Sequence, residues 1–155
     1  MGLEIERKYL VDLSKTGDLS SGQKIKQAYI ATVDKTVVRV RVAGEKAFLT
    51  LKGENKGATR SEFEYSVPLE DAESMITELC SGPAIDKTRY LLKHSNHIWE
   101  LDIFHGDNEG LVVAEVELES ETETVDLPDW ILDEVTSDSR YYNSNLLSQP
   151  FKDWK

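Results

Sequence analysis

The sequence predicts an α+β, mainly β fold: an eight-stranded antiparallel β-barrel with a few flanking helices, built by residues 1–155 as one domain. Three observations lead there. Eight segments alternate apolar and polar residues with the period of a strand. The stretches between most of them are short and carry hairpin residues. Like charges recur two residues apart on one face of strand after strand, so that they gather on one side of the sheet. A chain of 155 residues buries a worthwhile core but rarely supports two, which favours a single unit with a single site.

The first strand is expected at about 3–11, with Glu4, Glu6 and Lys8 opposite Leu3, Ile5 and Tyr9. The second runs over 24–32. After Asp34-Lys35 comes the third, 36–43, where Arg39 and Arg41 oppose Val38, Val40 and Val42. Ala43-Gly44-Glu45 turns the chain into 46–53, which ends at Lys52 with Leu49 and Leu51 behind it; Asn55-Lys56-Gly57 leads to 60–68, with Glu62 and Glu64 against Phe63 and Tyr65. Leu69–Cys80 reads as a helix: it opens with acidic residues, spaces Ala72, Met75, Ile76 and Leu79 helically, and stops at Ser81-Gly82-Pro83. Strands at 86–94 and 97–105 flank a Ser95-Asn96 hairpin, setting Lys87 and Arg89 against Thr88 and Tyr90, and Glu100 and Asp102 against Leu101 and Ile103. A Gly106–Gly110 turn precedes the last strand, 111–119, with Glu115 and Glu117 opposite Val116 and Leu118. Pro128-Asp129-Trp130-Ile131-Leu132 resembles a second helix start, with Pro in the first turn. The tail from about Asn143 to Trp154 is read as a third helix, interrupted at Pro150.

Any one of these strands, taken alone, reads as an ordinary half-buried strand whose polar face meets water. Together they do not. Solvent faces mix charges with Thr, Ser and Gln, whereas these faces carry nearly pure pairs of one sign. Such clustering costs stability unless something of opposite sign fits between the pairs, and a barrel with a wet, charged lumen accounts for it. Arg forks and Lys ammonium groups cradle phosphates, while carboxylates hold hard cations through oxygen. Polyphosphate with a divalent metal needs both sets at once, and phosphoryl transfer needs positioning and neutralisation rather than a Ser or Cys nucleophile.

Composition narrows the partners. With 29 acidic against 18 basic residues the net charge is −11, a field that repels nucleic acid and anionic membranes. No apolar run approaches a membrane span, the start lacks a signal-peptide core, and the lone Cys80 cannot form an intramolecular disulfide, so a cytoplasmic location is expected. Cys80 reads as a packing residue. His94 and His97 flank a hairpin rather than forming a metal pair, and His105 ends a strand at the surface. No GxxxxGK[ST] loop is present. Trp99, Trp130 and Trp154 read as packing anchors.

Glu4-Ile5-Glu6-Arg7-Lys8 resembles the ExExK opening of the CYTH superfamily, the triphosphate tunnel metalloenzymes. The similarity continues, in family order, through Val38-Arg39-Val40-Arg41, Thr50-Leu51-Lys52-Gly53, Glu62-Phe63-Glu64, Lys87-Thr88-Arg89-Tyr90, Trp99-Glu100-Leu101-Asp102, Ala114-Glu115-Val116-Glu117 and Asp138-Ser139-Arg140-Tyr141. The resemblance implies a tunnel that binds a triphosphate together with Mg²⁺ or Mn²⁺. It implies metal ligation by Glu4, Glu6, Glu115 and Glu117, with Glu62, Glu64 and Asp102 helping at a second metal or water position. Lys8, Arg39, Arg41, Lys52, Lys87, Arg89 and Arg140 would bind phosphate. Hydrolysis of inorganic triphosphate, the commonest activity of the compact bacterial members, is the expected function. Its rivals are a class IV adenylate cyclase and a non-catalytic polyphosphate or nucleotide sensor; an almost wholly charged lumen favours a substrate that is all phosphate, and the full carboxylate set favours chemistry.

Overall fold

The computed structural model describes residues 2–154. Its strands are β1 (Leu3–Val11), β2 (Gln23–Ile30), β3 (Val37–Ala43), β4 (Lys46–Lys52), β5 (Thr59–Val67), β6 (Ser81–His94), β7 (His97–Phe104), β8 (Val112–Glu117) and β9 (Ile131–Glu134), with one α-helix, α1 (Leu69–Glu78). The sheet runs β5-β4-β3-β2-β6-β7-β8-β1-β9, and an additional β1–β5 pairing closes its first eight strands into an antiparallel barrel. Closure is brief: Leu3 faces Ser61, Glu4 faces Arg60 and Ile5 faces Thr59. Further along the same edge of β1, β9 takes over at Tyr9 and Val11.

Strand parity is the reverse of a filled barrel. The charged residues point inward, and the apolar residues point outward under a partial cover. Ala72, Met75 and Ile76 of α1 pack on Val40, Val42, Ala47 and Leu49 of β3 and β4. On the opposite wall Trp99, Leu101 and Val116 are covered by Leu19, Val125 and Trp130 from two connecting segments. Trp99 meets Tyr9 and Trp130 edge to face at 5.6 and 5.7 Å, a favoured aromatic geometry. Only at one end does the inward face turn apolar, where Ile85, Phe104 and Val113 are sealed by Leu146, Leu147 and Phe151.

The eight expected strands and the first helix are present, with revised limits. β6 starts at Ser81, after only Leu79 and Cys80 beyond α1, so Ser81-Gly82-Pro83 belongs to a strand. The β2–β6 register slips between Gln27 and Tyr29, and Gly82 there has φ +73°, a conformation that suits glycine in a bulge. Pro128–Leu132 is not a helix start. Trp130 gains burial against Trp99, and the chain beyond it bonds the free edge of β1, through Asp12 N to Trp130 O and Val135 N to Lys8 O. Those partners outweigh a weak local helix signal. The tail forms three-residue-turn helices at Asn143–Leu147 and Phe151–Asp153 instead of an α-helix, because its apolar residues fold individually over the barrel end. No helix among the described residues is long and apolar enough to cross a membrane.

Candidate active site

The lumen holds a cavity of about 250 Å³. Strands far apart in sequence supply it, because β1 lies beside β8 with Glu6 opposite Glu117 and Lys8 opposite Glu115. Of the site residues expected from sequence, all but Asp102 and Arg140 line this cavity. Asp102 lies beneath the wall, fully buried. Arg140 is outside: it grips Asp138 at 2.7–3.2 Å and stands over the Tyr141 and Trp154 rings. Seven cationic and seven acidic side chains line the cavity, Arg60 and Glu100 completing the two sets. Sequence reading missed Arg60, although it shares the parity of Glu62 and Glu64.

The cations fall into two groups. One group is bound by carboxylates. Lys52 meets Glu4 at 3.2 Å and Glu62 at 3.3 Å, and Arg60 meets Glu4 at 3.4 Å. Arg89 grips Asp102 through two bonds of 2.7 and 2.9 Å and reaches Glu100 at 3.1 Å and Glu115 at 3.6 Å. Burial opposes the charge on Arg89, yet Asp102 and the glutamates outweigh it and hold the guanidinium above its usual range. The other group rests largely on neutral oxygens. Lys8 Nζ donates to the Tyr141 carbonyl at 2.9 Å, and Arg41 Nε to Gln27 Oε1 at 2.8 Å. Burial, reinforced by Arg39 and Arg89, lowers Arg41 to about 10. Arg39 donates to Thr50 Oγ1 at 3.2 Å and Glu64 at 3.4 Å, while its buried Nε has no partner. A buried donor without an acceptor is costly and leaves Arg39 with hydrogen-bonding capacity to spare beside the cavity.

The carboxylates are divided too. Burial, the neighbouring Glu115 charge and a hydrogen bond to Glu115 raise Glu6 well above the usual range. Burial also acts against Glu115, but Lys8, the Glu6 hydrogen bond and Arg89 hold it well below. The two glutamates are pressed against each other in a space that a cation would suit. Among the described residues no three His, Cys, Asp or Glu side chains converge as a ready-made cation cage. A divalent ion here would complete its shell with substrate oxygens and water, as Mg²⁺ commonly does.

Sequence reading missed Gln27, Tyr29, Thr136, Tyr142, Asn143 and Ser144 near the lumen. Gln27 and Tyr29 do share the inward parity of β2, but the residues of that parity, Gln23, Ile25, Gln27 and Tyr29, are all uncharged and leave no charge pattern. The other four belong to the irregular segment after β9, where parity gives no guide. His94 and His97 lie away from the lumen. They hold the acidic segment after β8, through Asp126 and Glu123 respectively.

Comparison with known proteins agrees with this geometry. Residues 2–147 match the CYTH domain model. The chain is 44% identical over 155 residues to an inorganic triphosphatase of Acetivibrio thermocellus, covering 100% of this chain and 99% of that protein. It is 37% identical over 147 residues to an inorganic triphosphatase of Nitrosomonas europaea, covering 92% and 95%. A crystal structure of an inorganic triphosphatase superposes with a TM-score of 0.66 at 35% identity, covering 93% of each chain. A Pyrococcus horikoshii protein, at 19% identity with a TM-score of 0.59 and coverage of 76% and 79%, shares the fold. Family model, full-length relatives and inward-charged barrel agree, and the chain belongs to the CYTH domain family.

Proposed function

We propose that this protein hydrolyses inorganic triphosphate to pyrophosphate and phosphate with Mg²⁺ or Mn²⁺, in the cytoplasm. The observation that carries this reading is the balance of the lumen: seven cations face seven carboxylates. Such a lumen needs an accompanying cation to take up a triphosphate carrying four or five negative charges. Glu4, Glu6, Glu115 and Glu117 would hold it. A divalent ion held there would supply charge neutralisation for the phosphate oxygens and make the attacking water easier to deprotonate.

The chain's own side chains supply the rest. Arg39, Arg41, Lys8 and Lys87 bind and align the phosphates, and their charge stabilises the negative charge that gathers on the leaving pyrophosphate. Glu62 or Glu64, on the β5 wall, accepts the proton of the attacking water. Lys52 and Arg60 keep Glu4 turned into the cavity, and Asp102 does the same for Arg89.

Purified protein with metal is assayed separately against inorganic triphosphate, ATP and thiamine triphosphate, reading phosphate, pyrophosphate and cyclic AMP. Hydrolysis of inorganic triphosphate with a kcat/KM well above that for ATP is expected. Cyclic AMP from ATP with little phosphate from inorganic triphosphate would identify a cyclase instead, and binding without turnover a sensor.

Arg39→Lys keeps the charge but removes the orphan Nε donor. Losing one charge-assisted bond of roughly 1.5–3 kcal/mol should raise KM for triphosphate about 10-fold or more. Lys15→Ala and Lys152→Ala are the controls, and equal losses there would reduce the clamp to a diffuse field.

A further inference from the structure

Gln27 and Asn143 belong to no charged pattern, yet they form the centre of a buried hydrogen-bond cluster against the lumen. Gln27 is fully buried. Its Oε1 accepts from Arg41 Nε at 2.8 Å; its Nε2 donates to Tyr29 Oη at 2.9 Å and to Asn143 Oδ1 at 3.0 Å. The same Asn143 oxygen accepts from Lys87 Nζ at 2.9 Å. The amide orientations follow from the partners, since Arg and Lys have only protons to give and must meet oxygen. Two neutral amides thus join β2, β3, β6 and the turn after β9 around two cations.

The contrast with Arg89 gives this cluster its meaning. Arg89 is surrounded by Asp102, Glu100 and Glu115. Lys87 shares only Asp102, which Arg89 already occupies through both oxygens. Arg41 donates a hydrogen bond to Gln27 and, among the described residues, has no ion pair. A carboxylate at either amide position would bind the cation more tightly but would cancel its field before any phosphate arrived.

We propose that Gln27 and Asn143 are positioning residues that hold Arg41 and Lys87 in the lumen without adding a counter-charge, so that Arg41, which has no ion pair among the described residues, and Lys87, which shares Asp102 with Arg89, can bind a phosphate chain. This rests on the reading of the lumen as a triphosphate site. Burial opposes the charge of Arg41, which is lowered to about 10. A bound phosphate supplies the counter-charge that the protein withholds.

The test uses near-isosteric charge insertion. Gln27→Glu and Asn143→Asp keep size and the oxygen that meets the cation, and Asn96→Asp in the exposed β6–β7 turn controls for net charge. Three readings are taken: KM and kcat for inorganic triphosphate with Mg²⁺, melting temperature, and titration of the Lys87 ammonium by NMR in metal-free, substrate-free protein. Both lumen variants should raise KM at least tenfold with kcat within threefold of native, and melt no lower than native because each gains an ion pair. Lys87 should titrate at least one pH unit higher in Asn143→Asp. Asn143→Ser, which restores a neutral oxygen, should recover most of the affinity lost in Asn143→Ala. A KM within threefold of native in both charged variants, or a rise matched by Asn96→Asp, overturns the proposal; so does a KM rise that appears only with a large fall in melting temperature. Should the native protein not hydrolyse triphosphate, the site reading fails by itself, and an unchanged Lys87 titration in Asn143→Asp would separately overturn the clamp.

Discussion

Glu6→Ala is expected to reduce metal-dependent triphosphate hydrolysis by about 10²-fold or more while leaving the fold as stable as native or more so. At the proposed metal site Glu6 would help hold the cation against the reacting phosphate, where single electrostatic contributions reach about 3–4 kcal/mol. The gain or neutrality in stability follows from position. Glu6 is half-buried beside Glu115 and Glu4, its carboxyl is raised by desolvation and by their charge, and Lys52 acts in its favour. Glu4→Ala should behave differently. It strips a partner from both Lys52 and Arg60, so activity and stability should fall together. Melting curves with and without Mg²⁺, alongside initial rates, separate the cases. A Glu6→Ala protein that hydrolyses triphosphate at near-native rate would remove Glu6 from the metal site.

Asp102→Ala should produce the largest loss of stability of any lumen substitution, about 3–5 kcal/mol, since removing one partner leaves buried cations uncompensated. Asp102 is fully buried and accepts two bonds from Arg89 at 2.7 and 2.9 Å, with Lys87 at 2.8 Å. Burial alone would raise its carboxyl, but Lys87 and Arg89 outweigh burial and hold it below the ordinary 3.8. A depressed carboxylate stabilises the native state at pH above its unfolded value. That contribution is complete above the region of 3.8 and drains away as pH falls through the lower folded value. The native protein should therefore lose urea resistance steeply below pH 4, and Asp102→Asn should flatten that part of the profile. A urea midpoint in Asp102→Ala close to native at pH 7 would show that water compensates the cations.

The barrel was legible because period-2 parity survives translation into structure. Glu4, Glu6 and Lys8 point where Glu115 and Glu117 point, although more than a hundred residues separate them, since antiparallel pairing preserves the faces. Parity also identified which carboxylates and cations would meet. It could not rank them. Asp102 has the same pattern as Glu100, yet it lies under Arg89 and serves as an anchor rather than a wall. Arg140 lay in a familiar-looking stretch with no strand to aim it, and Asp138 and the aromatic rings keep it outside the cavity. β9 escaped notice because its reason to exist is nonlocal: the edge of β1 left free beyond Ile5. Gln27 and Asn143 escaped for a related reason, since an uncharged side chain shows its role only through the cations it touches.

The inverted polarity of the barrel makes its cohesion electrostatic as well as apolar. Apolar burial is confined to the outer shell and to one sealed end, so the interior is held by ion pairs such as Arg89 with Asp102, and a bound ligand adds to them. Occupancy and persistence are then the same variable: a ligand at one hundred times its dissociation constant adds about 2.7 kcal/mol to the native state, a large fraction of the stability of a chain this size. In a cell, the abundance of this protein would rise and fall with the supply of what fills its lumen, slower turnover following from the same contacts that permit the reaction.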